Sequence, residues 1–211
     1  MKTLVLVAAL GFLAALPAKA DLTSTFDSGA EGWNAIDPTG DYTSTWQSTG
    51  GNPGGYLRGG ETISLGGDGY FYAPASWLGD WSAYNGGAIS YDLKVFEGSS
   101  YFSDPDVIIS NGANSVSWSS HINPVGDGWV TFQVQLTSAN FGPNLASVLS
   151  NVTSFSIRGE FINGPEAEGL DNVRLAAANG APEASTWMMA LLGFGALGFA
   201  ASRRRRMASL A

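Results

Sequence analysis

Between residues 21 and 181 the chain is broken by clusters of Gly, Ser, Asn, Asp and Pro every eight to fifteen residues, and no long stretch keeps a helical period. These residues supply positive φ, preset turns and local side-chain hydrogen bonds, so each cluster ends an element soon after it starts. Only short strands fit between such stops. Val130-Thr131-Phe132-Gln133-Val134-Gln135-Leu136 alternates apolar and polar residues, as does Ile89-Ser90-Tyr91-Asp92-Leu93-Lys94-Val95. In a strand this alternation sends one face to a core and the other to solvent. Val107-Ile108-Ile109 is a continuous apolar run that predicts a more deeply buried strand. Val116 and Trp118 alternate with serines, Phe155 and Ile157 alternate before Arg158, and Val173 and Leu175 mark a last strand. Asn144 to Leu149 has room for one or two helical turns. Many short strands without helices predict an all-β antiparallel sandwich, and about 155 residues suit a jelly roll.

The chain has 211 residues, 45% of them hydrophobic, which is enough for a core. It has no Cys and one His, which excludes a disulfide framework, thiolate metal sites and multi-His sites. Between Asp21 and Pro182 only Arg58, Lys94, Arg158 and Arg174 are basic against 17 acidic side chains, a net charge of −13. Such a body repels phosphate backbones, so nucleic acid is not an expected partner. Its carboxylates suit hard cations such as calcium.

Both ends carry addresses. Residues 1–20 read as a signal peptide: Lys2, an apolar run from Leu4 to Leu16, and the small-x-small site Ala18-Lys19-Ala20 before Asp21. At the other end Pro182-Glu183-Ala184-Ser185 precedes an apolar stretch over 187–201, followed by Arg203, Arg204, Arg205 and Arg206. At 1.5 Å per residue this stretch spans roughly 22 Å, a short transmembrane helix. The arginines hold its far end in the cytoplasm and leave residues 21–181 outside. Residues 176–181, Ala-Ala-Ala-Asn-Gly-Ala, form a linker. The tail over 182–206 resembles the PEP-CTERM sorting signal, with Ala184 where that family has a second Pro. The resemblance implies a Gram-negative exporter of extracellular polysaccharide, transient residence in the inner membrane, and processing by an exosortase near Glu183.

The body carries a second resemblance. Phe26-Asp27 with Glu31-Gly32-Trp33 opens it, and Leu78-Gly79-Asp80-Trp81 leads through Asn85-Gly86-Gly87 to the strand at Ile89. Gly128-Trp129, Phe155-Ser156-Ile157-Arg158 and Gly169-Leu170-Asp171-Asn172-Val173 follow in order. This set is similar to the laminin IV type (laminin B) domain over residues 26–175. The resemblance implies a jelly roll like those of carbohydrate-binding modules, an extracellular role and no catalysis. It also implies a structural calcium ion where the first and last strands meet, with Asp27, Glu31, Asp171 and Asn172 as ligands. Turn hydrogen bonding is the alternative role for Asp171 and Asn172.

Exposed rings pack against the CH faces of sugars, and Tyr42, Trp46, Tyr70, Tyr72 and Trp77 are the candidates for such a face. Trp118 and Trp129, beside strands, are expected in the core. Asp80 is read as a partner for Arg158 across the sandwich. His121 has neither a G-x-S-x-G elbow nor an α/β frame to build a hydrolase site. Asp104 with Asp106 and Glu166 with Glu168 are the carboxylate pairs a glycosidase would need, and are expected as solvated loop pairs. The reading that results is an exported, non-enzymatic surface or matrix protein that binds or is embedded in extracellular polysaccharide. A protein–protein adhesion or structural envelope module is the alternative, and a polysaccharide-active enzyme the third.

Overall fold

A computed structural model describes residues 19–61, 67–96, 101–126, 128–162 and 164–178. Residues Lys19–Ala178 form one compact unit. Its strands are β1 (Leu22–Ser24), β2 (Asn34–Ile36), β3 (Thr43–Gln47), β4 (Tyr56–Gly60), β5 (Tyr70–Tyr72), β6 (Ala88–Val95), β7 (Val107–Ser110), β8 (Ser115–Trp118), β9 (Val130–Gln135), β10 (Ser154–Arg158) and β11 (Ala167–Ala176). Two short helices, α1 (Ser138–Phe141) and α2 (Leu145–Leu149), lie between β9 and β10. The expected strands and the turn near Asn144 are therefore present. β1 to β5 were not expected: β1, β2 and β5 have three residues each, and β3 and β4 carry Ser, Thr and Gly.

Every ladder between these strands is antiparallel, and the sheet order is β8-β7-β10-β5-β2-β3-β4-β11-β6-β9, with β1 joined to β11. The sheet curls about one apolar cluster that takes side chains from both of its halves, among them Phe71, Ile109 and Phe155 from one and Leu57, Leu93, Phe132 and Leu170 from the other. The jelly-roll sandwich expected from the strand pattern is this curled antiparallel sheet. Phe155 stacks on Trp77 at 6.0 Å and meets Trp81 and Trp33 edge-on at 5.2 and 5.8 Å. Offset and edge-on ring pairs of this kind add to the gain from buried area.

β11 is the central strand. Its first half pairs with β4 through Ala167 to Leu170, and its second half pairs with β1 through Val173 to Leu175. The register against β6 shifts between Asp171 and Arg174. Asn172 sits in this bulge at φ 50°, a left-handed conformation that Asn tolerates better than most residues. Among the described residues no helix is long and apolar enough to cross a membrane. The span expected over 187–201 lies outside them, as do most of the signal peptide and the end of the linker.

Candidate functional site

Side chains of directly paired residues lie on the same face of a sheet. In the β3-β4-β11-β6 quartet, Thr45 pairs with Arg58, Arg58 with Gly169, and Gly169 with Lys94. One row on one face therefore runs Thr45, Arg58, Gly169, Lys94. Gln47 and Tyr56 pair one row away, as do Asp92 and Thr131 on β6 and β9. The opposite face carries Leu57, Leu93 and Leu170, which are fully buried. Thr45, Arg58 and Thr131 are exposed and Lys94 is half-buried, so the first face is the solvent side.

Three aromatic rings lie on this side of the sheet, Tyr56 buried and Trp129 and Phe96 half-buried. Tyr56 meets Trp129 edge-on at 5.5 Å and Phe96 at 5.6 Å, and the Lys94 ammonium stands 5.0 Å from the Phe96 ring centre. Trp129 donates its Nε1–H to the Gly50 carbonyl at 3.2 Å. Its ring reaches over Gly169: a Cβ there would come 2.6 Å from Trp129 Cη2 and 3.0 Å from Tyr56 Cδ2. Only glycine lets both rings lie against the sheet. Trp129 is thus a half-buried ring on the open face, not the core residue its place beside a strand suggested. A cavity of about 190 Å³ opens beside Arg58, lined by Thr43, Thr45, Gly59, Gly60, Glu61 and Glu166.

Beneath this cavity the expected solvated pair Glu166 and Glu168 is buried instead. Glu166 Oε2 accepts from the Phe161 and Ile162 N–H groups, both at 3.0 Å, and Tyr42 Oη–H donates to Glu168 Oε2 at 2.9 Å. Their second oxygens, Glu166 Oε1 and Glu168 Oε1, are buried with no hydrogen-bond partner among the described residues. Burial first, and then the Glu166 carboxyl, pushes Glu168 well above the usual carboxylate range. Glu160, buried nearby and accepting from the Gly69 N–H at 2.7 Å, is raised to about 7, mainly by burial.

Asp27, Asp171 and Asn172 meet the loop that precedes β4, whereas Glu31 lies on the 26–31 turn. A Cβ on Gly54 would collide with Asp27 Oδ1, and one on Gly51 would come 2.7 Å from Asp171 Oδ2. Asp171 is fully buried and accepts from the Asn52 and Asn172 N–H groups at 2.6 and 2.7 Å. Burial raises it to about 6, with Asp92 and Asp27 adding like charge. Asn172 presents its amide nitrogen, to Asn52 O at 2.5 Å and Asp92 Oδ2 at 2.8 Å. Glu31, at φ 52°, accepts from the Phe26 N–H at 2.7 Å and closes the 26–31 turn. Among the described residues no three carboxylate or imidazole groups are placed to share an ion. The donor set, two neighbouring carboxylates with carbonyl oxygens such as Phe26 O and Gly55 O about the glycine loop, nevertheless has calcium's chemistry.

The aromatic candidates divide. Tyr42 is fully buried under Glu168, and Trp77 and Tyr70 belong to the interior. Tyr72 is half-buried, and Trp46 is exposed but donates its Nε1–H to Phe26 O at 2.6 Å. None lies on the Arg58–Lys94 row. The Asp80–Arg158 pair is not formed: exposed Asp80 accepts from the Ser82 N–H. Arg158 lies 3.9 Å from Asp106, and Asp106 is buried instead of solvated. His121 is an exposed loop residue at φ 60°. Ala20 is described only through its carbonyl, which accepts from Tyr84 Oη–H at 2.6 Å. Ala18, Pro182, Glu183 and Arg203 to Arg206 lie outside the described residues.

The profile of the Laminin B (Domain IV) family matches residues 70–189, and that of the PEP-CTERM protein-sorting motif matches 181–206. The fold is similar to that of the L4b domain of human laminin alpha-2, at 12% identity and TM-score 0.56 over 74% of this chain and 97% of that one. It is also similar to a family 30 carbohydrate-binding module, at 19% identity and TM-score 0.53 over 76% and 90%. A third likeness is the CBM22-1 xylan-binding domain of Paenibacillus barcinonensis Xyn10C, at 16% identity and TM-score 0.51 over 79% and 100%. No curated protein matches the chain. The sorting motif marks an exported protein. With its jelly-roll body and the order of its motifs, the chain belongs to the Laminin B (Domain IV) family.

Proposed function

We propose that the protein is a non-enzymatic module of the cell surface or extracellular matrix, sorted by an exosortase, whose open sheet face binds extracellular polysaccharide. The observation that carries this reading is the half-buried pair Trp129 and Phe96, packed about buried Tyr56 with Trp129 over Gly169, beside the cavity lined by Thr43, Thr45 and Arg58. Flat apolar rings next to Thr43, Thr45 and Arg58 offer a sugar both CH contact and hydrogen-bond partners. The shared fold of the xylan-binding and family 30 modules is consistent with it. A non-catalytic role is supported by the placement of the carboxylate pairs: Glu166 and Glu168 are buried underneath the sheet, and Asp106 faces a buried arginine. A structural calcium ion at Asp27 and Asp171 is part of the same proposal. It would hold the N-terminal loop against the bulge of β11, next to the rings: Asp171 lies two residues beyond Gly169, and Trp129 bonds Gly50 of the loop that precedes β4.

The test is retention of the full chain, purified in mild detergent, on immobilised xylan, mixed-linked glucan and polygalacturonate, with calcium and with chelator. Retention on at least one polymer, weakened about tenfold by Trp129→Ala, is the expected result. No retention on any polymer in either condition overturns the sugar-binding reading and leaves adhesion to protein as the alternative.

A further inference from the structure

The acidic body has four basic side chains, and the fold treats them in two ways. Arg158 is buried against Asp106 and three backbone carbonyls, and Arg174 pairs with Asp21 at 2.6 Å. Arg58 and Lys94 make no ion pair among the described residues. They stand on the same face, on either side of Gly169 in one sheet row. Two strand spacings set their Cα atoms about 10 Å apart. Gly169 puts no side chain between them, and the Trp129 ring reaches over that position instead. The arrangement is an aromatic floor with a cation at each side.

Resting on the sheet-face reading above, we infer that the ligand is an acidic polysaccharide, one whose sugars carry carboxylates. A ring face would pack on Trp129 while Arg58 and Lys94 receive carboxylates from the sugars to either side. The planar guanidinium of Arg58 matches a carboxylate in a two-pronged contact, and the Lys94 ammonium acts as a point charge. The acids nearest the row are Glu61, buried in the cavity wall with Arg58, Glu166, buried with its carboxyl raised by burial, and Asp92, which accepts hydrogen bonds from Thr131 at 2.6 Å, Asn172 at 2.8 Å and Asn52 at 3.1 Å. The remaining negative charge of the body is screened beyond about 8–10 Å at physiological ionic strength. A polyanion is therefore repelled by most of the surface and admitted at this row.

The experiment compares polygalacturonate with the same polymer after its carboxyls are reduced to alcohols, in affinity electrophoresis of the full chain with chelator present. The expected result is that the acidic form is held more tightly and that raising salt from 50 to 500 mM removes the difference. Arg58→Ala and Lys94→Ala should each weaken the acidic form about tenfold while leaving the reduced form unchanged. Arg174→Ala, which makes an equal change in net charge, should keep the preference. Equal retention of the two polymers, or preference for the reduced one, overturns the inference and leaves a neutral-sugar face standing. A preference for acid that needs calcium, or that survives both substitutions, overturns the role of these two cations. Retention of neither polymer, with none on the neutral glycans, fails the sheet-face reading itself.

Discussion

Replacing Arg158 by Ala should cost this fold more than any change on its solvent face. Arg158 is 1% exposed on β10. Its Nε–H donates to Glu160 O at 2.6 Å and an Nη2–H to Phe102 O at 2.7 Å, with Asp104 O at 3.5 Å and Asp106 Oδ1 at 3.9 Å from Nη1. Its guanidinium carbon lies 4.2 Å from the Phe161 ring centre and 4.7 Å from that of Phe102. The cation thus fastens the 102–106 and 160–161 segments to the sheet. Two short charge-assisted hydrogen bonds, at about 1.5–3 kcal/mol each, set a scale of about 3–6 kcal/mol. Leaving Asp106 buried without its partner gives a similar figure of about 3–5 kcal/mol. For a domain of this size, about 4 kcal/mol lowers Tm by about 8–16 °C. The assay is thermal and urea unfolding of wild type, Arg158→Ala and Asp106→Asn. Asp106→Asn should lose less, because the 3.9 Å ion pair is the longest of the contacts and the carbonyl bonds remain. A loss below about 1 kcal/mol in Arg158→Ala would refute the assignment of Arg158 as the fastener of these loops.

Two further outcomes are expected. Glu160 at about 7 and Asp171 at about 6 bind protons more tightly folded than unfolded, so stability is fully present below about pH 4 and falls as pH rises from there through 7. Tm measured without calcium should therefore be higher at pH 5 than at pH 8, with a shallower slope in Glu160→Gln, and a flat profile would contradict the buried placement of these carboxyls. Gly59→Ala would set a Cβ 2.8 Å from Phe71 Cζ and against Tyr42 Oη, and should destabilise by about 1–3 kcal/mol in urea unfolding.

The strands β6, β7, β9 and β10 were legible because each keeps one apolar face over several residues. β1 to β5 were not: β1, β2 and β5 have three residues each, too few to show a period, and β3 and β4 carry Ser, Thr and Gly, which also mark turns. β11 is buried on nearly all positions through Val173, so the alternation that announces a half-exposed strand is erased and only Val173 and Leu175 stood out. The aromatic candidates failed for a related reason. A Trp or Tyr carries the same local signal whether it fills the core, as Tyr42 and Trp77 do, or covers a sheet, as Trp129 does. One clue was available: Gly169 inside a strand pattern marks a close approach, and Trp129 is what approaches.

By itself the sequence determined the export address, the acidic body and the all-β class, since these depend on composition and on patterns within a few residues. The tertiary structure alone decided that Glu166 and Glu168 are buried beneath the sheet, that Arg158 belongs to Asp106 rather than Asp80, and that Arg58 and Lys94 flank one glycine. Each of those facts joins strands or loops far apart in the chain. Strand order and register place them, and neither is written in any local stretch of residues.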